Sequence, residues 1–324
     1  METDKRVNPQ PLKGSIKTST YFCGMTTVKN YLSLVKFSHT IFALPFALIG
    51  FFLGMMQTSF TLGSTHNGLI TLTLGNLLLK FVLVMICMVS ARSAAMAFNR
   101  FLDRNFDAKN PRTAIREIPR GIISPQSALR FVILNCIIFI AATFFLNKIC
   151  FFLSPIALFV VLFYSYTKRF TPLCHLVLGL GLSLAPIGAY LAVTGRFDIL
   201  PVLFSFAVIF WVSGFDIIYA LQDVEFDQSQ QLYSIPAVAG KPKALHISEL
   251  LHVLSAACVI AAGLFGHFHF IYWIGIAVFC GMLLYQHSIV KPNDLRRVNL
   301  AFMTANGIAS VVFGVLVIAD LFLN

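Results

Sequence analysis

After Val35 the chain is dominated by apolar runs of about 20 residues, the length that crosses a bilayer as a helix. The runs fall near 38–57, 80–99, 128–146, 150–167, 173–193, 201–220, 250–266, 268–288 and 300–322, and they predict nine spanning helices. Short turns separate several of them. Pro155, Pro172 and Pro201 fall at predicted starts or connections, where a missing N–H and a fixed φ are tolerated. The expected fold class is all-α, a polytopic membrane protein. Residues 31–324 form one membrane-embedded domain, and 1–30 form a polar, basic tail carrying Lys5, Arg6, Lys13 and Lys17. The tail has neither the apolar core nor the small-residue cleavage site of a signal peptide. It is read as cytoplasmic.

Composition sharpens this reading. The 324 residues are 58% hydrophobic and 11% charged, far from the balance of a soluble domain. The seven cysteines stand singly, without a CxxC pair, and read as small core residues. No HxxxH or HExxH pair occurs among the eight histidines, which argues against a zinc or haem site. The formal net charge of +11 is mostly a topology signal. If nine helices alternate, the tail, the 99–130 stretch, Lys168 with Arg169, and the 289–299 loop all share one side, which is then cytoplasmic. These basic residues flank spans and accompany no nucleic-acid motif. By localisation the chain is an integral membrane protein, with a bacterial inner membrane as the fitting compartment.

Two connections are long, roughly 99–127 and 221–249, and the alternation puts both on the cytoplasmic side. With the end of the sixth run they hold Asp103, Asp107, Glu117, Asp216, Asp223, Glu225, Asp227 and Glu249, eight of the thirteen acidic residues. The first motif is NxxxDxxxD, made by Asn99, Asp103 and Asp107. Steps of four put these three along one helix face over ~12 Å. Carboxylates one turn apart repel unless a cation lies between them, and magnesium takes one or two carboxylates, keeps water and completes its shell with phosphate oxygens. Such a face suits Mg2+ and a diphosphate. In the second motif, Asp223 and Asp227 repeat the step, with Asp216 seven residues upstream and ~10 Å deeper, and Tyr219 between. An intramembrane carboxylate is costly and marks a functional site.

The plainer account is a solvated helix end with local ion pairs, Arg100 to Asp103 or Arg104 to Asp107. Two clusters of equal spacing on one side of a chain with so few acids count against it. Arg112 and Arg116 suit a diphosphate or an acceptor carboxylate, because guanidinium bonds either bidentately, although topology alone also accounts for basic residues there. Lys168 and Arg169 share that ambiguity.

At these residues the chain resembles the UbiA superfamily of intramembrane prenyltransferases, from about Leu34 to the end. The resemblance rests on Asn99, Asp103 and Asp107, on Asp223 and Asp227 with upstream Tyr219, and on the segment from Tyr164 to Arg169. It implies nine helices around a central cavity capped by the two long loops. It implies Asp103, Asp107, Asp223 and Asp227 as magnesium or diphosphate ligands, supported by Asn99, with Lys168 and Arg112 as diphosphate candidates. Phe226 stands where the more acidic versions often carry aspartate.

The implied reaction moves a polyprenyl group from its diphosphate to an aromatic acid, with Asp216 accepting the ring proton or positioning Tyr219. The acceptor is of the 4-hydroxybenzoate type. The stretch from Asn110 to Pro119 also resembles members of the futalosine route to menaquinone, which implies 1,4-dihydroxy-6-naphthoate. An ion-coupled transporter is the rival, since it too needs intramembrane acids. Its acids belong near the midplane, whereas here most lie at span ends. The signature of a CDP-alcohol phosphotransferase is absent around Asp103 and Asp223.

Overall fold

The computed structural model describes residues 29–35, 42–58 and 74–323; residues 1–28 of the polar tail and the first residues of the 38–57 run lie outside them. The helices are α1 Leu44–Gln57, α2 Leu74–Leu102, α3 Arg104–Lys109, α4 Pro125–Leu146, α5 Lys148–Thr167 and α6 Cys174–Thr194. Then come α7 Ile199–Ala220, α8 Val224–Ser229, α9 Ile235–Ala239, α10 Lys241–Phe265, α11 Phe270–Ile289 and α12 Asn306–Leu323. A 3-10 turn, Leu221–Asp223, joins α7 to α8, and a π-helical turn, Leu300–Ala305, opens α12. Eight of these helices are long and apolar enough to cross a membrane, and the shorter apolar α1 makes the ninth among the described residues. The fold is all-α. Each apolar run became one helix, because only a helix satisfies every backbone polar group inside lipid.

The ends follow local chemistry. The Ser124 hydroxyl accepts the Ser127 N–H ahead of Pro125 at the start of α4. Asn147 caps α5 by accepting the Cys150 N–H at 2.9 Å, and its amide donates to the Leu191 carbonyl at 2.7 Å. Gly195 closes α6 in the left-handed conformation, φ 66°. The expectation for Pro155 needs correction, since it lies inside α5. A proline there cannot donate to the Phe151 carbonyl, and the Ser154 hydroxyl does so instead, at 2.7 Å. The run near 250–266 begins earlier than expected, at Lys241, because its polar first turns lie in the long loop and are still helical.

α10 and α6 pack on α7, α2 on α4, α1 on α6 and α11 on α12. Phe46, Phe204, Trp211, Phe279 and Phe313 form the fully buried centre. Trp211 and Gln286 both donate to the Asn306 Oδ1 at 2.9 Å. The Asn306 amide in turn holds the Ala301 and Phe302 carbonyls of the π-turn at 3.1 and 3.0 Å. That turn sets Phe302 against Tyr219, with ring centroids 4.2 Å apart. α1 meets α6 where a Cβ on Gly50 would lie 2.0 Å from the Pro186 carbonyl oxygen, so only glycine permits that approach.

Candidate active site

The first motif spans a junction between two helices at Asp103. α2 stops at Leu102 and α3 begins at Arg104, with Asp103 between them. The i to i+4 bonds nevertheless continue, Asp103 N–H to Asn99 carbonyl at 2.9 Å and Asp107 N–H to Asp103 carbonyl at 2.8 Å. Asp103 and Asp107 are both buried. Asp103 accepts from Asn99 at 3.3 Å and pairs with Lys168 at 2.9 Å and Arg169 at 3.5 Å. Lys168 and Arg169 reach it from the end of α5. Arg169 also holds the Leu102 carbonyl at 3.0 Å and lies over the Tyr166 ring. Asp107 pairs with Arg116 at 2.6 Å, and its Oδ2 is buried with no hydrogen-bond partner among the described residues.

The local ion pairs of the plainer account do not form. Arg104 donates instead to the Phe101 carbonyl at 2.7 Å, and its guanidinium lies over the Phe101 ring. The carboxylates face cations brought from other elements or from further along the loop.

The second motif meets the first loop at Arg112. The turn from Asn110 is fixed by the Arg112 N–H on Asn110 Oδ1 at 3.0 Å and by the Thr113 hydroxyl on the Asp107 carbonyl at 3.1 Å. It points the guanidinium at Asp223, which Arg112 grips with Nε at 3.0 Å and also with Nη2. Arg112 Nη1 donates to the Tyr219 hydroxyl at 2.9 Å, and Asn110 donates to Asp223 at 3.2 Å. Burial pulls the Arg112 guanidinium down, but the charge and hydrogen bond of Asp223, followed by those of Tyr219, hold its pKa above the ordinary value. It is therefore a permanent cation. Asp227, half-buried, accepts the Ser234 hydroxyl at 2.9 Å and lies in the fields of Lys168, Asp223 and His175. Lys168 thus links the two motifs.

Between Asp216 and Asp223 the helix tightens into the 3-10 turn after Ala220. The partner of Asp216 is His175 rather than Tyr219, with Nδ1 to Oδ2 at 2.7 Å. His175 Nε2 accepts the Ile235 N–H at 3.3 Å, so the ring proton sits on Nδ1 and is donated to Asp216. The Asp216 side chain keeps an accessible surface of its own, 24% exposed.

Beside the motifs lies an apolar cavity of about 440 Å³ between α2, α4, α5 and α6. Its motif end carries Arg92, Met96 and Tyr164, and Tyr164 lies in the fields of Asp103, Arg92 and Asp216. Its far end carries Leu146, Cys150 and Leu191. From Cys150 to Tyr164, α5 rises ~21 Å at 1.5 Å per residue. Among the described residues Arg92 is the one charged side chain in the lining, and its Nε finds no acceptor among them.

Sequence reasoning passed over Arg92 and His175. Arg92 carried a signal, a charge in the middle of an apolar run. His175, a lone histidine at the start of a span, carried none.

Among the described residues no three His, Cys, Asp or Glu converge on one point. Carboxylates that leave a metal to complete its shell with water and phosphate oxygens fit magnesium. The orphaned Asp107 Oδ2 and the all-oxygen donor set agree.

Paired carboxylates and cations thus stand at the head of a long apolar cavity inside a bundle of membrane-spanning helices. The chain belongs to the UbiA prenyltransferase family, whose model matches residues 67–308, and it is a prenyltransferase. It is 30% identical to the 4-hydroxybenzoate octaprenyltransferase of Nitrosospira multiformis, over 75% of this chain and 82% of that protein. It is 27% identical to the enzyme of that name from Photobacterium profundum, over 89% and 96%. Among solved structures it is similar to an apo UbiA homologue from Aeropyrum pernix, with TM-score 0.75, 31% identity and coverage of 87% and 98%. A homologue from Archaeoglobus fulgidus bound to DMAPP and Mg2+ shares the fold, with TM-score 0.66, 20% identity and coverage of 91% and 100%. Membership of this family sets aside the transporter reading.

Proposed function

We propose that this protein transfers a polyprenyl group from polyprenyl diphosphate to an aromatic acid, with magnesium, in quinone biosynthesis. The observation that carries the reading is the junction of the two acidic motifs, with their four cations, beside a largely apolar cavity with Arg92 at its motif end. The diphosphate takes the motif end and the prenyl tail takes the cavity. Asp103, Asp107, Asp223 and Asp227 would hold magnesium, which supplies positive charge to the departing diphosphate. The octaprenyltransferase relatives and the homologue bound to DMAPP and Mg2+ support this assignment.

The bond between the allylic carbon and the diphosphate oxygen breaks, and the oxygen keeps the electron pair. Arg112, Arg116, Lys168 and Arg169 stabilise that leaving group from positions already fixed by packing. The allylic carbon then joins an electron-rich ring carbon inside the apolar cavity, where water does not intercept it. The ring proton leaves to Asp216, whose carboxylate is oriented by His175. Prenylated acid, diphosphate and a proton account for all atoms. Arg92 receives the acceptor's carboxylate by a charge-assisted bond. Asp216→Asn should lower kcat ~100-fold with donor affinity unchanged. Normal turnover in that variant would remove Asp216 from this role.

The deciding experiment is prenyl transfer by the purified chain in lipid with magnesium and a labelled polyprenyl diphosphate. It is run with 4-hydroxybenzoate and with 1,4-dihydroxy-6-naphthoate. The relatives favour the first acceptor, and the stretch from Asn110 to Pro119 keeps the second in the test. Product from one acceptor, abolished by EDTA, is the expected result. Diphosphate binding without product moves the acceptor elsewhere, and no diphosphate binding ends the reading. The lysine and arginine distribution supports a site facing the cytoplasm, and the bacterial relatives support an inner membrane.

A further inference from the structure

Gly181 and Gly188 both belong to α6 and both line the apolar cavity. They are seven residues apart, so they lie about 20° from one another on one helix face and ~10 Å apart along it. Relative to His175 at the motif end of the same helix, Gly181 lies ~9 Å and Gly188 ~20 Å further on.

Several other glycines of the spans are demanded by packing. A Cβ on Gly50 would lie 2.0 Å from the Pro186 oxygen, and one on Gly179 would lie 2.5 Å from the Ile209 oxygen. A Cβ on Gly188 meets nothing within 4 Å, and one on Gly181 meets only Val161, at 3.8 Å and beyond. Nothing in the packing of the described residues requires either position to lack a side chain, yet glycine in a helix interior weakens the helix relative to alanine. The space in front of both is the cavity.

We propose that Gly181 and Gly188 set the bore of the tail channel at two depths and thereby fix the length of prenyl chain the protein accepts. The inference rests on the cavity being the donor's tail site. A short chain such as geranyl ends before the level of Gly188, and a long chain such as octaprenyl passes it. A bulky side chain at 188 therefore excludes long donors alone, and one at 181 excludes both.

The test measures binding, so it does not depend on the acceptor. Full-length protein in lipid nanodiscs with magnesium is titrated with geranyl and octaprenyl diphosphates against a radiolabelled prenyl diphosphate. Gly188→Phe should hold geranyl diphosphate as the parent does and weaken octaprenyl diphosphate at least about tenfold. Gly181→Phe should weaken both. Gly281→Phe, on an exposed and equally open position of α11, should change neither. Melting temperatures report folding, and Gly188→Leu gives the same selective loss, smaller in size, should phenylalanine unfold the protein. Unchanged octaprenyl affinity in the 188 variants, or equal loss of both donors, overturns the inference and leaves the donor site standing. A parent protein that binds neither diphosphate overturns both.

Discussion

Prenyl transfer falls about a thousandfold in an Asp223→Ala variant, the scale set by removing a preorganised charge-stabilising group. Asp223 accepts Arg112 through two guanidinium nitrogens and also accepts Asn110, so it is where the two long loops join. Alanine removes one carboxylate and frees Arg112, which keeps only its bond to Tyr219. The fold should survive, because the Arg112 and Asp223 side chains are 32% and 19% exposed and water can replace the partner. Initial rates in lipid, beside melting temperature and diphosphate affinity, check this. A rate within tenfold of the parent, with folding intact, would exclude Asp223 from the machinery.

Arg92→Leu raises the KM for the aromatic acid about 100-fold, as expected for losing one hydrogen-bonded charge pair in an apolar site. Donor affinity should change little, since the tail contacts are carbon and the diphosphate is gripped by other residues. Leucine fills much of the same volume, so the cavity keeps its shape. The check is a separate KM for each substrate. An increase in donor KM instead, or in neither, would mean that Arg92 does not hold the acceptor.

The architecture was legible because lipid leaves the backbone few choices, so each apolar run had to be a helix. The two motifs were legible because carboxylates at a spacing of four are expensive without a cation. Partner assignments were not. Asp216 and Tyr219 sit three residues apart and invite a pair, yet the helix turns them to different neighbours, His175 on α6 and Arg112 on the first loop. Pro155 read as a boundary because spacing alone does not reveal that Ser154 compensates for the lost hydrogen bond. The pairing of Lys168 with Asp103 spans 65 positions, and no local pattern reports such a contact.

The ion pairs at the motifs imply how ligands enter. Four aspartates stand near four cations, Arg112, Arg116, Lys168 and Arg169, so the locality is close to electrical neutrality. A bare dication meets repulsion from the arginines, and a bare diphosphate meets it from the carboxylates. When the two arrive together, each side chain trades one counterion for another of the same sign and the total scarcely moves. On the proposed function, the metal and the anion should therefore be taken up cooperatively, each raising the affinity for the other, and this pocket should be a poor scavenger of either one alone.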